Sequence, residues 1–314
     1  MDNEPQTDGA ENDAGWCLVV DPNSDGLRLD RFISTRIERL SRARAARLDV
    51  VDLDKVDLIL KKSSVVRAGQ RLWVKRPVPD ADATPPEPTI IYEDHDILIL
   101  NKPPGLAVHP TATRFKTTVT WWISQKFPGA GIEPVHRIDV ETSGLLVCSK
   151  TPDVNRTLKS AFASGQVEKR YLAVVKGHPS QDSWTIDTPL GFHQDSAVRL
   201  RMGSGQLPAE TQFRVIETLN NSALIEAQPI TGRQHQIRVH LSMGGLPIIG
   251  DKIYGPDENL FLAHLERDLT ENEYLILGHH RLALHASNIG FILEGRRLNF
   301  DAPLAPDLSY LAEK

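Results

Sequence analysis

His136-Arg137-Ile138-Asp139 sets three ionisable side chains within four positions, followed by Thr142-Ser143-Gly144 and the apolar run Leu145-Leu146-Val147-Cys148. The apolar run has the length and composition of a buried strand. Thr142, Ser143 and Gly144 form a turn signal whose hydroxyls can hold local backbone N–H groups. A charged loop that runs straight into a buried strand fixes its last carboxylate on a rigid edge, where a catalytic group can be held. Asp139 is therefore the leading catalytic candidate. A bare tetrapeptide of this kind more often just caps a turn, so the rest of the chain has to decide.

Three other segments could do chemistry with it. Asn101 to Pro110 reads NKPPGLAVHP, in which Pro103, Pro104 and Gly105 make a stiff loop expected to project Lys102 and His109. Val167–Lys176 alternates as a strand and carries Lys169-Arg170-Tyr171. Thr231 to Leu241, TGRQHQIRVHL, is expected to open a helix with Thr231 as its cap and Gly244 beyond its end. Within such a helix Arg233 and Arg238 point about 140° apart, so one faces a cleft while the other turns inward.

Taken whole, these segments resemble the RluA-type pseudouridine synthase family. HRID-VE-TSGLLV matches its His-Arg-Leu-Asp, two variable residues, Thr-Ser-Gly and strand, with Ile138 for the usual Leu. Asn-Lys-Pro-x-Gly…Val-His-Pro, Lys-x-Tyr, Gly-Arg-x-His-Gln-Ile-Arg-x-His and the closing Arg281-Leu282-Ala283-Leu284-His285-Ala286 follow in family order over residues 90–305. The resemblance implies isomerisation of a uridine within RNA, ribosomal RNA before transfer RNA, with no cofactor and no metal. It gives Asp139 the role of carboxylate beside the ribose, kept ionised by Arg238, and gives Tyr171 the uracil ring. Arg137 is placed to fill the gap left by the flipped base. Lys102, Arg233 and His235 read as phosphate or backbone contacts, and Asn101, His109, His136, Thr142, Gly232 and Gln236 as further substrate contacts.

The elements that must position these residues define an α+β fold, a mostly antiparallel mixed sheet with flanking helices, over residues 89–314. Ile90–Tyr92 with Ile97–Asn101, Glu210–Leu219 with Ala223–Gln228, and Phe291–Leu293 with Arg297–Phe300 read as strand pairs. Thr117–Phe127 reads as a helix, and Thr151-Pro152 starts another that Gly165 stops. Before this domain, PVPDADATPPEP at 77–88 is a semi-rigid linker. Residues 16–76 form a small α/β module: RLDRFI…LSRAR…VRAGQRLWV resembles an RNA-binding module shared by a ribosomal small-subunit protein and many synthases of this family. Ser41 is expected to cap an arginine-rich second helix carrying Arg42, Arg44 and Arg47. The family's Gly-x-Val-x-Val-Asn-Gly stretch is replaced by DVVDLDKVDLILKKS.

Charge fits an RNA partner only when resolved along the chain. The net charge is −5, yet residues 25–80 carry 14 Lys or Arg against 8 Asp or Glu, and residues 1–24 carry six acids and no Lys or Arg. The first 15 residues are expected to be a disordered acidic arm. Two cysteines give no disulfide framework or zinc cluster, and no apolar run approaches a membrane span. A cytoplasmic protein working as a monomer is expected. Two other readings remain: a metal-dependent hydrolase using His235 and His240 with Asp139, and a catalytically inactive RNA-binding or ribosome-assembly protein on the same fold.

Overall fold

In the computed structural model the chain divides into two compact units, Met1–Pro79 and Asp80–Lys314. The structure describes residues 15–37, 40, 42–45, 48–55, 58–75, 83–111 and 114–312. Residues 1–14 of the expected acidic arm, the Ser41 cap, Arg47 and linker residues 77–82 lie outside the described residues.

The first unit pairs β1 (Gly15–Val19), β2 (Val50–Asp52), β3 (Leu58–Ile59) and β4 (Arg71–Lys75) in the order β1-β4-β2-β3. Helices α1 (Leu29–Arg36) and α2 (Arg42–Ala45) join β1 to β2. Leu29, Phe32 and Ile33 sit at helical spacing on α1 and pack with Val50, Leu72 and Val74 into a core of the unit's own. The stretch that departs from the family pattern forms the β2–β3 hairpin.

The second unit is built on one large sheet. Its strands in chain order are β5 (Thr89–Glu93), β6 (Ile97–Lys102), β7 (Glu133–Pro134), β8 (Ser143–Ser149), β9 (Glu168–Lys176) and β10 (Ser183–Ile186). The short β11 (Leu190–Phe192) and β12 (Met202–Ser204) pair apart from that sheet, and β13 (Thr211–Thr218), β14 (Ser222–Pro229), β15 (Leu284–Leu293) and β16 (Arg296–Asp301) complete it. The main order is β10-β13-β14-β9-β15-β8-β6-β5, with β16 on β15 and β7 on β8. Every pairing is antiparallel except β15 with β8. All seven residues of β8 are buried, as a strand covered on both faces requires.

Around the sheet run α3 (Val119–Lys126), α4 (Pro152–Ala163), α5 (Gln236–Met243), α6 (Asn259–Glu266), α7 (Glu271–Leu277) and α8 (Pro306–Ala312). Thr151 caps α4 by accepting from the Val154 N–H, with Pro152 in the first turn. One helix departs from the sequence expectation. α5 starts at Gln236 rather than just after Thr231, with His235 at its N-cap in the left-handed region at φ 54°. Residues 231–235 are thus a loop, and the helical angle between Arg233 and Arg238 does not apply. Gly244 ends the helix as expected.

The β8–β15 contact depends on Gly144. Its φ is +105°, and a Cβ there would lie 2.2 Å from the Ala286 carbonyl oxygen. No side chain fits at that approach.

Candidate active site

The loop between β7 and β8, the inward face of β9 and the start of α5 enclose a cavity of about 410 Å³. Asp139, Thr142, Lys169, Tyr171, Gly232 and Arg238 all line it.

Arg238 crosses from α5 to the Asp139 loop. Its Nη1 donates to Asp139 Oδ2 at 2.7 Å, and its Nε and Nη2 donate to the two oxygens of Asp251 at 2.8 Å each. The Asp251 side chain is fully buried, and its Oδ1 also accepts from the Ile253 and Tyr254 N–H groups. Arg238 therefore serves two carboxylates, a buried one that fixes it and a second, 26% exposed, that opens on the cavity. Burial alone would raise the Asp139 pKa, but Arg238, with His235 behind it, holds the group below the ordinary carboxylate value. Arg238, flanked by both acids, has its pKa raised despite its burial.

His235 stands 3.9 Å from Asp139 through Nε2 and 2.9 Å from the Tyr254 hydroxyl through Nδ1. Burial, with Arg238 beside it, pushes its pKa down to about 4, so the ring is neutral near pH 7. The Tyr254 hydroxyl also accepts from the Met202 N–H, and the Arg238 guanidinium lies over its ring at 5.1 Å from the centroid. Tyr171 faces the cavity from β9, its pKa raised by burial and by the charge of Asp139.

His136 is stacked on Phe162 at 4.4 Å between centroids, and its Nε2 accepts from the Val147 N–H. Burial and the charge of Lys169 push its pKa down to about 3. Arg137 is exposed and lines both this cavity and a second one of about 450 Å³, where His109 stands. Thr142 donates its N–H to the Asp139 carbonyl, while its buried hydroxyl has no partner among the described residues. The Ser143 hydroxyl pairs with His285 Nδ1 instead of a local N–H, contrary to the expected turn bonding. Gly232 and the exposed Arg233 line the cavity mouth, with Arg233 Nε held by the Pro208 carbonyl.

Three expectations need correction. Lys102 does not project: it is fully buried on β6 and donates to the Pro103, Leu106 and Val140 carbonyls. Burial pushes its pKa down to about 7, and only the protonated amine can satisfy all three acceptors. It ties the Asp139 loop to the 103–106 turn and cannot reach a phosphate. Asn101 lies on β6, paired with Leu145 of β8 and Thr89 of β5, and lines neither cavity. Gln236 spends its amide on the protein, accepting from the Thr231 hydroxyl and the Arg233 N–H and donating to Glu210 and Thr211. His240 is fully buried against Thr211 and Thr188, so it does not converge with His235 on a metal position. Asp94, His95 and Asp96 form the one cluster of metal-type ligands among the described residues, and none of them lines the cavity.

Asp251 and Tyr254 are residues that motif reading passed over, and Lys169, read there only as part of the Lys-x-Tyr element, lines the cavity as well. GDKIYG at 250–255 does carry a signal, an acid and an aromatic framed by two glycines. At Gly250 a Cβ would stand 1.8 Å from the Arg281 carbonyl oxygen, so the turn that delivers Asp251 requires glycine.

A carboxylate held ionised by an arginine, with a tyrosine beside it at an open cavity, can serve as nucleophile or base toward a bound ring. The RNA pseudouridylate synthase family model matches residues 96–243. Ribosomal large subunit pseudouridine synthase D of Zymomonas mobilis is 35% identical over 91% of this chain and 93% of its own. Synthase C of Vibrio cholerae is 31% identical over 95% and 96%. Human RNA pseudouridylate synthase domain containing 4 superposes with a TM-score of 0.56 at 28% identity, covering 70% of this chain and 90% of that one. The chain belongs to the RluA-type pseudouridine synthases.

Proposed function

We propose that this protein isomerises selected uridines of large-subunit ribosomal RNA to pseudouridine, with Asp139 as its catalytic carboxylate. The observation that carries the reading is the 2.7 Å contact from Arg238 to a carboxylate that keeps one face open to the cavity. The names of the Zymomonas and Vibrio relatives favour ribosomal over transfer RNA.

The target nucleotide leaves its stack, at a cost of a few kcal/mol. Arg137, exposed and without an ion pair or hydrogen bond among the described residues, takes the space it vacates. Asp139, held ionised, acts beside the ribose as nucleophile or base while the bond from N1 to the sugar breaks. The uracil turns against Tyr171 and rejoins the sugar through carbon 5, and the proton lost at carbon 5 is matched by one gained at N1, so the sum of atoms is unchanged. Tyr171, kept protonated by burial, offers an aromatic face and a hydroxyl at that ring.

Purified protein incubated with unmodified large-subunit ribosomal and transfer RNA transcripts tests this, with pseudouridines mapped at nucleotide resolution. Modification at discrete ribosomal positions, absent with Asp139→Asn, is the expected result. Modification of transfer RNA alone would overturn the substrate, and none at all would overturn the activity. Arg137→Ala should slow turnover on structured RNA more than on an unstructured oligonucleotide, and equal losses would reduce Arg137 to a phosphate contact.

A further inference from the structure

Lys169 lines the same cavity, two residues before Tyr171 on β9. A strand turns residues i and i+2 to one face, about 6.6 Å apart along it. Both side chains therefore face the cavity that would hold the target base. Only 8% of Lys169 is exposed, and among the described residues its ammonium has neither an ion pair nor a hydrogen bond. Nζ stands 3.9 Å from where a Cβ on Gly232 would be, at the loop that closes the cavity. A buried cation without a partner is costly, and desolvation lowers the Lys169 pKa with nothing opposing it.

The reaction supplies the missing partner. When the N1–ribose bond breaks, its electron pair stays on the uracil, which becomes an anion spread over N1 and the two carbonyl oxygens. Asp139 is itself negative and cannot stabilise that charge. Arg238 is committed to two carboxylates, and His136 and His235 are neutral near pH 7. Arg137 and Arg233 lie exposed, in contact with solvent rather than buried beside the base. We infer that Lys169 is a further catalytic residue, whose ammonium hydrogen-bonds the detached uracil and stabilises its negative charge. This rests on the proposed isomerase reading. Lys169 keeps its proton throughout: the N1–ribose bond breaks, the carbon 5–ribose bond forms, and the proton released at carbon 5 is matched by one taken up at N1.

Lys169→Met preserves length and shape without the charge. On the ribosomal RNA fragment mapped above, kcat should fall ~10²–10³-fold, as for loss of one oxyanion donor, with RNA affinity within about twofold of wild type. Lys169→Arg should recover part of the rate. Because an unpaired buried charge has been removed, Lys169→Met should unfold no earlier than wild type. 5-Fluorouridine at the target position gives a base that is a more stable anion, so the deficit of Lys169→Met in consuming the target nucleoside should shrink on that RNA. A raised KM at unchanged kcat would make Lys169 a phosphate contact and overturn the inference. So would a destabilised Lys169→Met and Lys169→Gln, or equal deficits on the two RNAs. If wild type forms no pseudouridine while folded, the isomerase reading itself falls. An active wild type with an equally active Lys169→Met refutes Lys169 alone.

Discussion

Removing the charge of Asp251 should cost stability, whereas removing that of Asp139 should cost only activity. Asp251→Asn keeps the shape and can still accept from the Ile253 and Tyr254 N–H groups through its oxygen. Its amide nitrogen then faces an Arg238 N–H, donor against donor, at a site where the Asp251 side chain has no exposure and that of Arg238 has 8%. Breaking a buried pair from one side costs about 3–5 kcal/mol. At roughly 2–4 °C per kcal/mol, the melting temperature of a domain this size falls by roughly 6–20 °C. Asp139→Asn leaves Arg238 both of its bonds to Asp251 and alters a side chain already 26% exposed, so stability should stay within about 1 kcal/mol of wild type. Urea unfolding with the slope checked for constancy measures both, beside single-turnover pseudouridine formation. Asp251→Asn should also slow the reaction through a displaced Arg238, and the double variant should be no slower than Asp139→Asn. Equal unfolding midpoints for Asp251→Asn and wild type would refute this division, as would an Asp139→Asn protein as destabilised as Asp251→Asn.

Gly144→Ala should abolish soluble expression or sharply lower the urea midpoint, because its methyl meets the Ala286 backbone; wild-type behaviour would contradict the β8–β15 approach. Acid should destabilise the fold before ordinary carboxylates titrate. Unfolded His136 and His235 take up protons near pH 6.5, whereas in the fold they stay neutral to about 3 and about 4, so stability falls as pH drops below 6.5. The slope is about 1.4 kcal/mol per pH unit for each histidine, and His235→Gln should flatten it in urea titrations between pH 4 and 6. Deleting residues 1–79 should leave a folded isomerase, since the first unit keeps its own core, while weakening RNA binding and its salt dependence. An unchanged salt slope would remove that unit from the RNA contact.

Sequence reading reached furthest where local chemistry and burial agree. Leu145 to Cys148 is apolar without interruption and forms a strand buried along its length; Thr151 caps α4 and Pro152 opens it, as their local preferences favour. It erred where a polar side chain turns inward. Lys102 comes two residues after a run, Ile97 to Leu100, with no alternation to say which way the following side chains point, and three carbonyl acceptors drawn from residues 103, 106 and 140 were invisible before folding. Gln236 reads as a polar helix residue, but only the fold brings Glu210 and Thr211 to its amide. Asp251 had no visible task until α5 brought Arg238 to it.

The strand order also dictates when the enzyme can first work. Asp139 enters from β8 and Tyr171 from β9, yet these strands are not neighbours; β15 lies between them. A nascent chain made as far as residue 283 holds every group that touches the cavity except Leu284, and still lacks the strip that sets the two walls at working distance. Closing that gap joins residues more than a hundred positions apart, the kind of distant pairing that folds late. Catalytic competence thus waits on β15, more than a hundred residues beyond the strands it joins, so a fragment that stops short of β15 keeps the catalytic side chains without the scaffold that sets them against each other.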